Sequence, residues 1–120
     1  MIARLMGLST ISPRHLLERI EHRTVTAIDV NPRRSWVTAR VPGAVNLDPA
    51  GYTEKDLPAD TNAPLVFYCS NFLCRKAPNA ARRAKQMGYA NIQVMSAGIQ
   101  GWVDAGLPIE SGETEDAAAR

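Results

Sequence analysis

Apolar positions along the chain fall into short blocks of two kinds, and their alternation gives the fold class. Leu16, Leu17 and Ile20 recur at helical spacing behind Ser12-Pro13, a serine N-cap followed by a proline in the first turn. They predict a short amphipathic helix. Thr24 to Val30 is β-branched and too short for a helix, so it predicts a buried strand that Asn31-Pro32 stops. Val41 to Leu47 reads as a turn and a second short strand; residues 48–63 read as loop with one helical turn near Glu54. Ala63 to Tyr68 is continuously apolar, as a central parallel strand is. Pro78 to Met87 predicts an alanine- and arginine-rich helix ended by Gly88. Ile92 to Met95 predicts a last strand, and Ala97-Gly98 opens a short helix through Val103. Strands alternating with helices predict an α/β fold with a mostly parallel central sheet flanked by helices. Residues 1–110 read as one domain, and 111–120 as a flexible acidic tail.

Composition adds exclusions. With 120 residues, 45% hydrophobic and 22% charged, the chain is neither disordered nor a disulfide-dense knot. No apolar run reaches the ~18–20 residues that span a bilayer, so no membrane partner is expected. Met1 to Leu8 lacks a long apolar core with a cleavage site, which predicts no signal peptide. With only two cysteines, the expected setting is cytoplasmic and reducing. No nucleic-acid partner is expected either, because no aromatic residues interleave with the arginines.

The net charge of +2 conceals a division. Residues 61–103 contain no acid, while Arg75, Lys76, Arg82, Arg83 and Lys85 contribute +5; residues 104–120 carry −4. Both cysteines, Cys69 and Cys74, lie in the cationic stretch. In open α/β sheets ligands bind beyond the carboxyl ends of the strands, where Cys69 falls. The loop that follows, Ser70, Asn71, Phe72, Leu73, Cys74 and Arg75, leads into a helix. Inward-turned amides, the helix N-terminus, Arg75 and Lys76 would stabilise a thiolate there, the form a sulfur nucleophile needs. The plain alternative for Lys76 is a solvated first-turn residue.

Several separated motifs resemble the single-domain rhodanese family of sulfurtransferases, from about Ser12 to Glu110. They are Ala27-Ile28-Asp29-Val30, Ala39 to Leu47, Val66-Phe67-Tyr68-Cys69, Met87 to Ile92, Gly98 to Trp102 and Gly106 to Ile109. The resemblance implies a rhodanese-like fold, a catalytic Cys69 and a persulfide cycle without cofactor or metal. The Cys69 thiolate would take the outer sulfur of thiosulfate or a similar small anionic donor and pass it to cyanide or a thiol, with a sulfur-relay protein as a further partner. The loop amides from Ser70 to Arg75 would hold donor and persulfide. Asp29 is expected to be a structural hydrogen-bonding residue near the site. Asn31 stands where the family usually has arginine, Arg40 where histidine is common, Ala97 where glycine is common, and Asn71-Phe72 where the loop often has glycine. Cys74 resembles a second cysteine carried by some members: it would either resolve an oxidised Cys69 as a disulfide or simply pack.

Two other function classes remain open at this level. Cys69-x5-Arg75 also fits the loop of rhodanese-like cell-cycle phosphatases, where the arginine would hold phosphate and the cysteine would become a phosphocysteine; arsenate reduction draws on the same geometry. The loop has no carboxylate to act as general acid, Asp60 and Asp104 being the nearest in sequence. A non-enzymatic protein-binding module would have no need of a thiolate. His15 and His22 read as solvated, and Trp36, Trp102, Met87 and Met95 as core.

Overall fold

Five strands, β1 (Ser9–Thr10), β2 (Thr26–Asp29), β3 (Val45–Asn46), β4 (Leu65–Tyr68) and β5 (Ile92–Val94), form one sheet in the order β1-β5-β4-β2-β3. Every pairing is parallel in this computed structural model, which describes residues 7–114. β4 is central, and all four of its residues are buried, which is why its sequence is apolar without alternation. Its side chains divide between two cores. Leu65 and Phe67 meet Ile28, Val30 and Val94 on one face, while Val66 and Tyr68 meet Ala27 and Met95 on the other.

Helices cover both faces. α1 (Pro13–Glu21) starts at Ser12, whose hydroxyl accepts from the His15 amide at 3.2 Å, and inserts Leu16 into the second core. α3 (Lys76–Gln86) lies on the first core through Ala77, Ala80, Ala81 and Ala84, a stripe small enough for the helix to sit close on the sheet. α4 (Gly98–Asp104) adds Trp102 to the second core. A 3-10 turn at Glu54–Asp56 is closed by a capping box from Thr53, as expected near Glu54.

One expectation is corrected, and two elements were not expected. α3 begins at Lys76, two residues before Pro78, so Pro78 occupies its first turn, where its missing N–H costs nothing. A six-residue helix, α2 (Arg33–Thr38), follows the Asn31-Pro32 stop, with Pro32 as its N-cap and only Trp36 buried. β1 pairs with β5 through just two residues. Both elements are too short for a hydrophobic period to register. Trp36, Trp102 and Met95 are buried, Met87 is half-buried, and His15 and His22 are exposed.

Arg40 is wholly buried and carries the single ion pair among the described residues, Nε to Glu110 Oε1 at 3.0 Å. Its other donors reach the carbonyls of Trp36 at 3.1 Å, Gly112 at 2.8 Å and Thr114 at 2.6 Å, and its guanidinium stacks 3.9 Å over Trp36. The first residues of the expected free tail, 111–114, are therefore tied to α2 and Arg40; the rest of that tail lies outside the described residues. Among the described residues, no helix is long and apolar enough to cross a membrane.

Candidate active site

Cys69 is the first residue beyond β4, 3% exposed, on the side of the sheet that α3 covers. The register of β4 against β5 pairs Phe67 with Val94; Cys69 and Ser96 each follow that pair by two residues, Ser96 in the turn that leads into α4. The two share a cavity of about 10 Å³ with Cys74, Val94, Met95 and Pro78. Cys69 and Cys74 are joined here as a disulfide, with their Cα atoms 6.4 Å apart. The expected thiolate is therefore absent from this form, and the neighbouring cysteine is bonded to it.

Asn71 shapes the loop. Its side-chain oxygen accepts from the Leu73 amide at 2.9 Å, and its carbonyl from the Cys74 amide at 3.2 Å. Two of the amides expected to face an anion are thus spent inside the loop, whereas those of Asn71, Phe72 and Arg75 have no partner among the described residues. Ser70, Arg75 and Lys76 are exposed, and Phe72 and Leu73 are exposed apolar residues at the tip. Arg75 is the residue before α3, and Lys76 opens that helix, so both cations stand at its N-terminus. Of the five cations in the acid-free stretch, Arg83 serves the fold: its Nε donates to the Tyr52 carbonyl at 3.0 Å.

The loop is anchored from behind by α4. The amides of Ile99 and Gln100 donate to the carbonyls of Cys69 and Ser70 at 2.9 and 3.0 Å. Gly98, at φ +67°, makes this approach possible: a Cβ there would stand 2.5 Å from the Ser70 carbonyl carbon and oxygen. Asn31, where the family usually has arginine, is buried with an unpartnered Nδ2.

Asp29 lies on β2 as a buried hydrogen-bond centre. Its carboxylate accepts from the Asn31 amide at 2.8 Å and the Tyr68 hydroxyl at 2.7 Å, and that hydroxyl accepts from the Val41 amide at 3.1 Å. Burial pushes the Asp29 carboxyl above its ordinary 3.8, while the Tyr68 and Asn31 hydrogen bonds oppose the rise. Burial and the Asp29 charge hold Tyr68 well above 10, so it stays a donor. Tyr68 points to the face opposite Cys69, which leaves Asp29 outside the cavity. Asp60 and Asp104 accept local hydrogen bonds from the Asn62 amide and the Gln100 side chain. Among the described residues, no group of three His, Cys, Asp or Glu side chains could hold a metal.

Ser96 and Gly98 escaped the sequence reading as site residues. A place just past the end of β5, at the carboxyl edge of the sheet, would have pointed to the first, and the first glycine of the turn into α4 to the second.

The geometry agrees with what the chain is similar to. A family model described as Rhodanese-like domain matches residues 12–105. The HTH-type transcriptional regulator Rv0324 of Mycobacterium tuberculosis is 31% identical over 102 residues, 85% of this chain but 45% of that protein, so the chain spans less than half of that relative. The thiosulfate sulfurtransferase GlpE of Actinobacillus succinogenes is 28% identical over 106 residues, 88% of this chain and 94% of that one. Among solved structures, the BH2092 protein of Bacillus halodurans superposes with a TM-score of 0.79 at 18% identity, covering 88% of this chain and 78% of its own. A parallel sheet in this order, a cysteine at the end of its central strand and a model match across most of the chain lead to one assignment: the chain belongs to the rhodanese-like domain family.

Proposed function

We propose that this protein is a sulfurtransferase that carries sulfane sulfur on Cys69. The observation that carries the reading is the position of Cys69: at the carboxyl end of the central strand, beside a one-atom cavity, under a loop with unpaired amides and two exposed cations. The length-wide similarity to a thiosulfate sulfurtransferase supports it.

The disulfide form enters the cycle by reduction: two external thiols supply two electrons and two protons and leave as their own disulfide, freeing Cys69 and Cys74. The Cys69 thiolate attacks the outer sulfur of thiosulfate or a similar donor. A new S–S bond forms as the donor's own breaks, and sulfite leaves with the electron pair. An acceptor, cyanide or a thiolate, then attacks the outer sulfur of the persulfide, and Cys69 departs as thiolate. The free amides of Asn71, Phe72 and Arg75, together with the N-terminus of α3, offset the negative charge on donor and leaving group. Arg75 and Lys76 raise the local concentration of anions. When a peroxide oxidises the Cys69 thiolate to a sulfenic acid, the Cys74 thiolate attacks that sulfur, the hydroxyl leaves as water with a proton, and the disulfide that forms keeps Cys69 from irreversible oxidation. A cytoplasmic setting, where thiols are kept reduced, suits this cycle.

Reduced protein incubated with thiosulfate should gain one reductant-labile sulfur by intact mass, and Cys69→Ala should gain none. No adduct on a thiol that alkylates readily would sink the reading. Aryl phosphate turnover lost in Arg75→Ala would move the assignment to a phosphatase, and both assays blank beside a co-purifying partner would move it to a binding module.

A further inference from the structure

The Ser96 hydroxyl is buried and bonded to nothing among the described residues, although the great majority of buried side-chain polar atoms have a partner. It lines the same cavity as Cys69, and each residue follows the end of its strand at the carboxyl edge of the sheet. Val94, Met95, Ala77 and Pro78 supply the apolar part of its lining. The other polar neighbour, Asn71, has its side-chain oxygen engaged by the Leu73 amide. At about 10 Å³ the cavity admits one water-sized body, and Asn71 and Phe72, whose amides have no partner among the described residues, line it with Ser96. A single sulfur atom attached to Cys69 is of that size and brings its own charge.

We propose that Ser96 is a sulfur-binding residue: its hydroxyl donates to the anionic sulfur on Cys69, first the thiolate and then, resting on the sulfurtransferase reading, the outer sulfur of the persulfide seated in the cavity. In the disulfide form neither sulfur is an anion, and the hydroxyl is left orphaned. Reduction supplies its acceptor. The other titratable or charged groups around Cys69 are Cys74 and Arg75 on its own loop, Lys76 at the start of α3, and Asp29 on β2, which Tyr68 engages on the opposite face. None of them is bonded to Ser96, so a substitution there isolates the hydroxyl.

The test uses the Cys74→Ser background, in which Cys69 is the only thiol of the chain. Reduced protein is alkylated with iodoacetamide across a pH series. Loss of one charge-assisted hydrogen bond in Ser96→Ala should raise the midpoint by about one unit, so that alkylation below it slows about tenfold. Ser96→Thr, which keeps the hydroxyl, should return the rate to within threefold. An unshifted Ser96→Ala profile overturns the proposal. The titration uses no sulfur donor, so failure of thiosulfate to load Cys69 would defeat the sulfurtransferase reading without deciding this one. Thermal melting of the disulfide form separates a structural role. Removing an unpartnered hydroxyl should leave the midpoint unchanged, and a large drop in Ser96→Ala would show that the hydroxyl serves the fold instead.

Discussion

Gly98→Ala tests whether the active loop is held by its contact with α4. Two costs are separable. Alanine at φ +67° occupies the left-handed region, at about 1–2 kcal/mol. The new Cβ would also stand 2.5 Å from the Ser70 carbonyl and 2.7 Å from the Asn71 nitrogen, against an ordinary contact of 3.4 Å or more. Both neighbours are backbone and cannot swing aside as a side chain would. Opening the gap by about 0.9 Å stretches the Ile99–Cys69 and Gln100–Ser70 hydrogen bonds from 2.9 and 3.0 Å beyond bonding range, a further ~1–3 kcal/mol for the two. The sum is ~2–5 kcal/mol, readable as a shift in denaturant midpoint. Since Cys69 and Ser70 carry the carbonyls that lose these bonds, sulfur loading should slow by about a hundredfold, as misplacements of this size do. Gly106→Ala is the control: its φ of +72° is similar, but nothing lies within 4 Å of its added Cβ, so only the conformational cost and no loss of loading is expected. A Gly98→Ala protein as stable and as fast as the control would refute the anchoring argument.

Other consequences concern the buried polar groups. Glu110→Ala strands the wholly buried Arg40 guanidinium and should cost ~3–5 kcal/mol, whereas Arg40→Met with Glu110→Leu should cost less than Glu110→Ala alone; equilibrium unfolding decides, and a loss below ~1 kcal/mol would contradict the pairing. Asp29 gives a pH signature. Because its folded-state pKa is raised, the folded protein keeps that proton longer than the unfolded chain, so its contribution is most favourable below 3.8 and declines as pH rises through the raised value. Wild-type stability minus that of Asp29→Asn should therefore fall over this interval and then flatten; a difference that grows with pH would reverse the assignment of burial as the dominant cause.

Much of this architecture was legible because it follows from local chemistry. The unbroken apolar run of β4 could only be a central strand, and its end fixed the position of Cys69. Ser12-Pro13 announced α1, and the alanine stripe announced α3. What escaped depended on partners distant in sequence. Arg40 reads as a replaced histidine until Glu110, 70 residues on, is seen to neutralise it. Ser96 is an unremarkable serine until the fold places it in one cavity with Cys69. The five-residue spacing of Cys69 and Cys74 allowed either packing or pairing, and only the turn made by Asn71 brings the sulfurs together.

The most direct test of the central claim is to locate the transferred sulfur. Reduced protein loaded with thiosulfate, alkylated and fragmented should show the added sulfur on Cys69, with loading kept in Cys74→Ser and abolished in Cys69→Ala. Sulfur found on Cys74, or loading that survives in Cys69→Ala, would contradict the account.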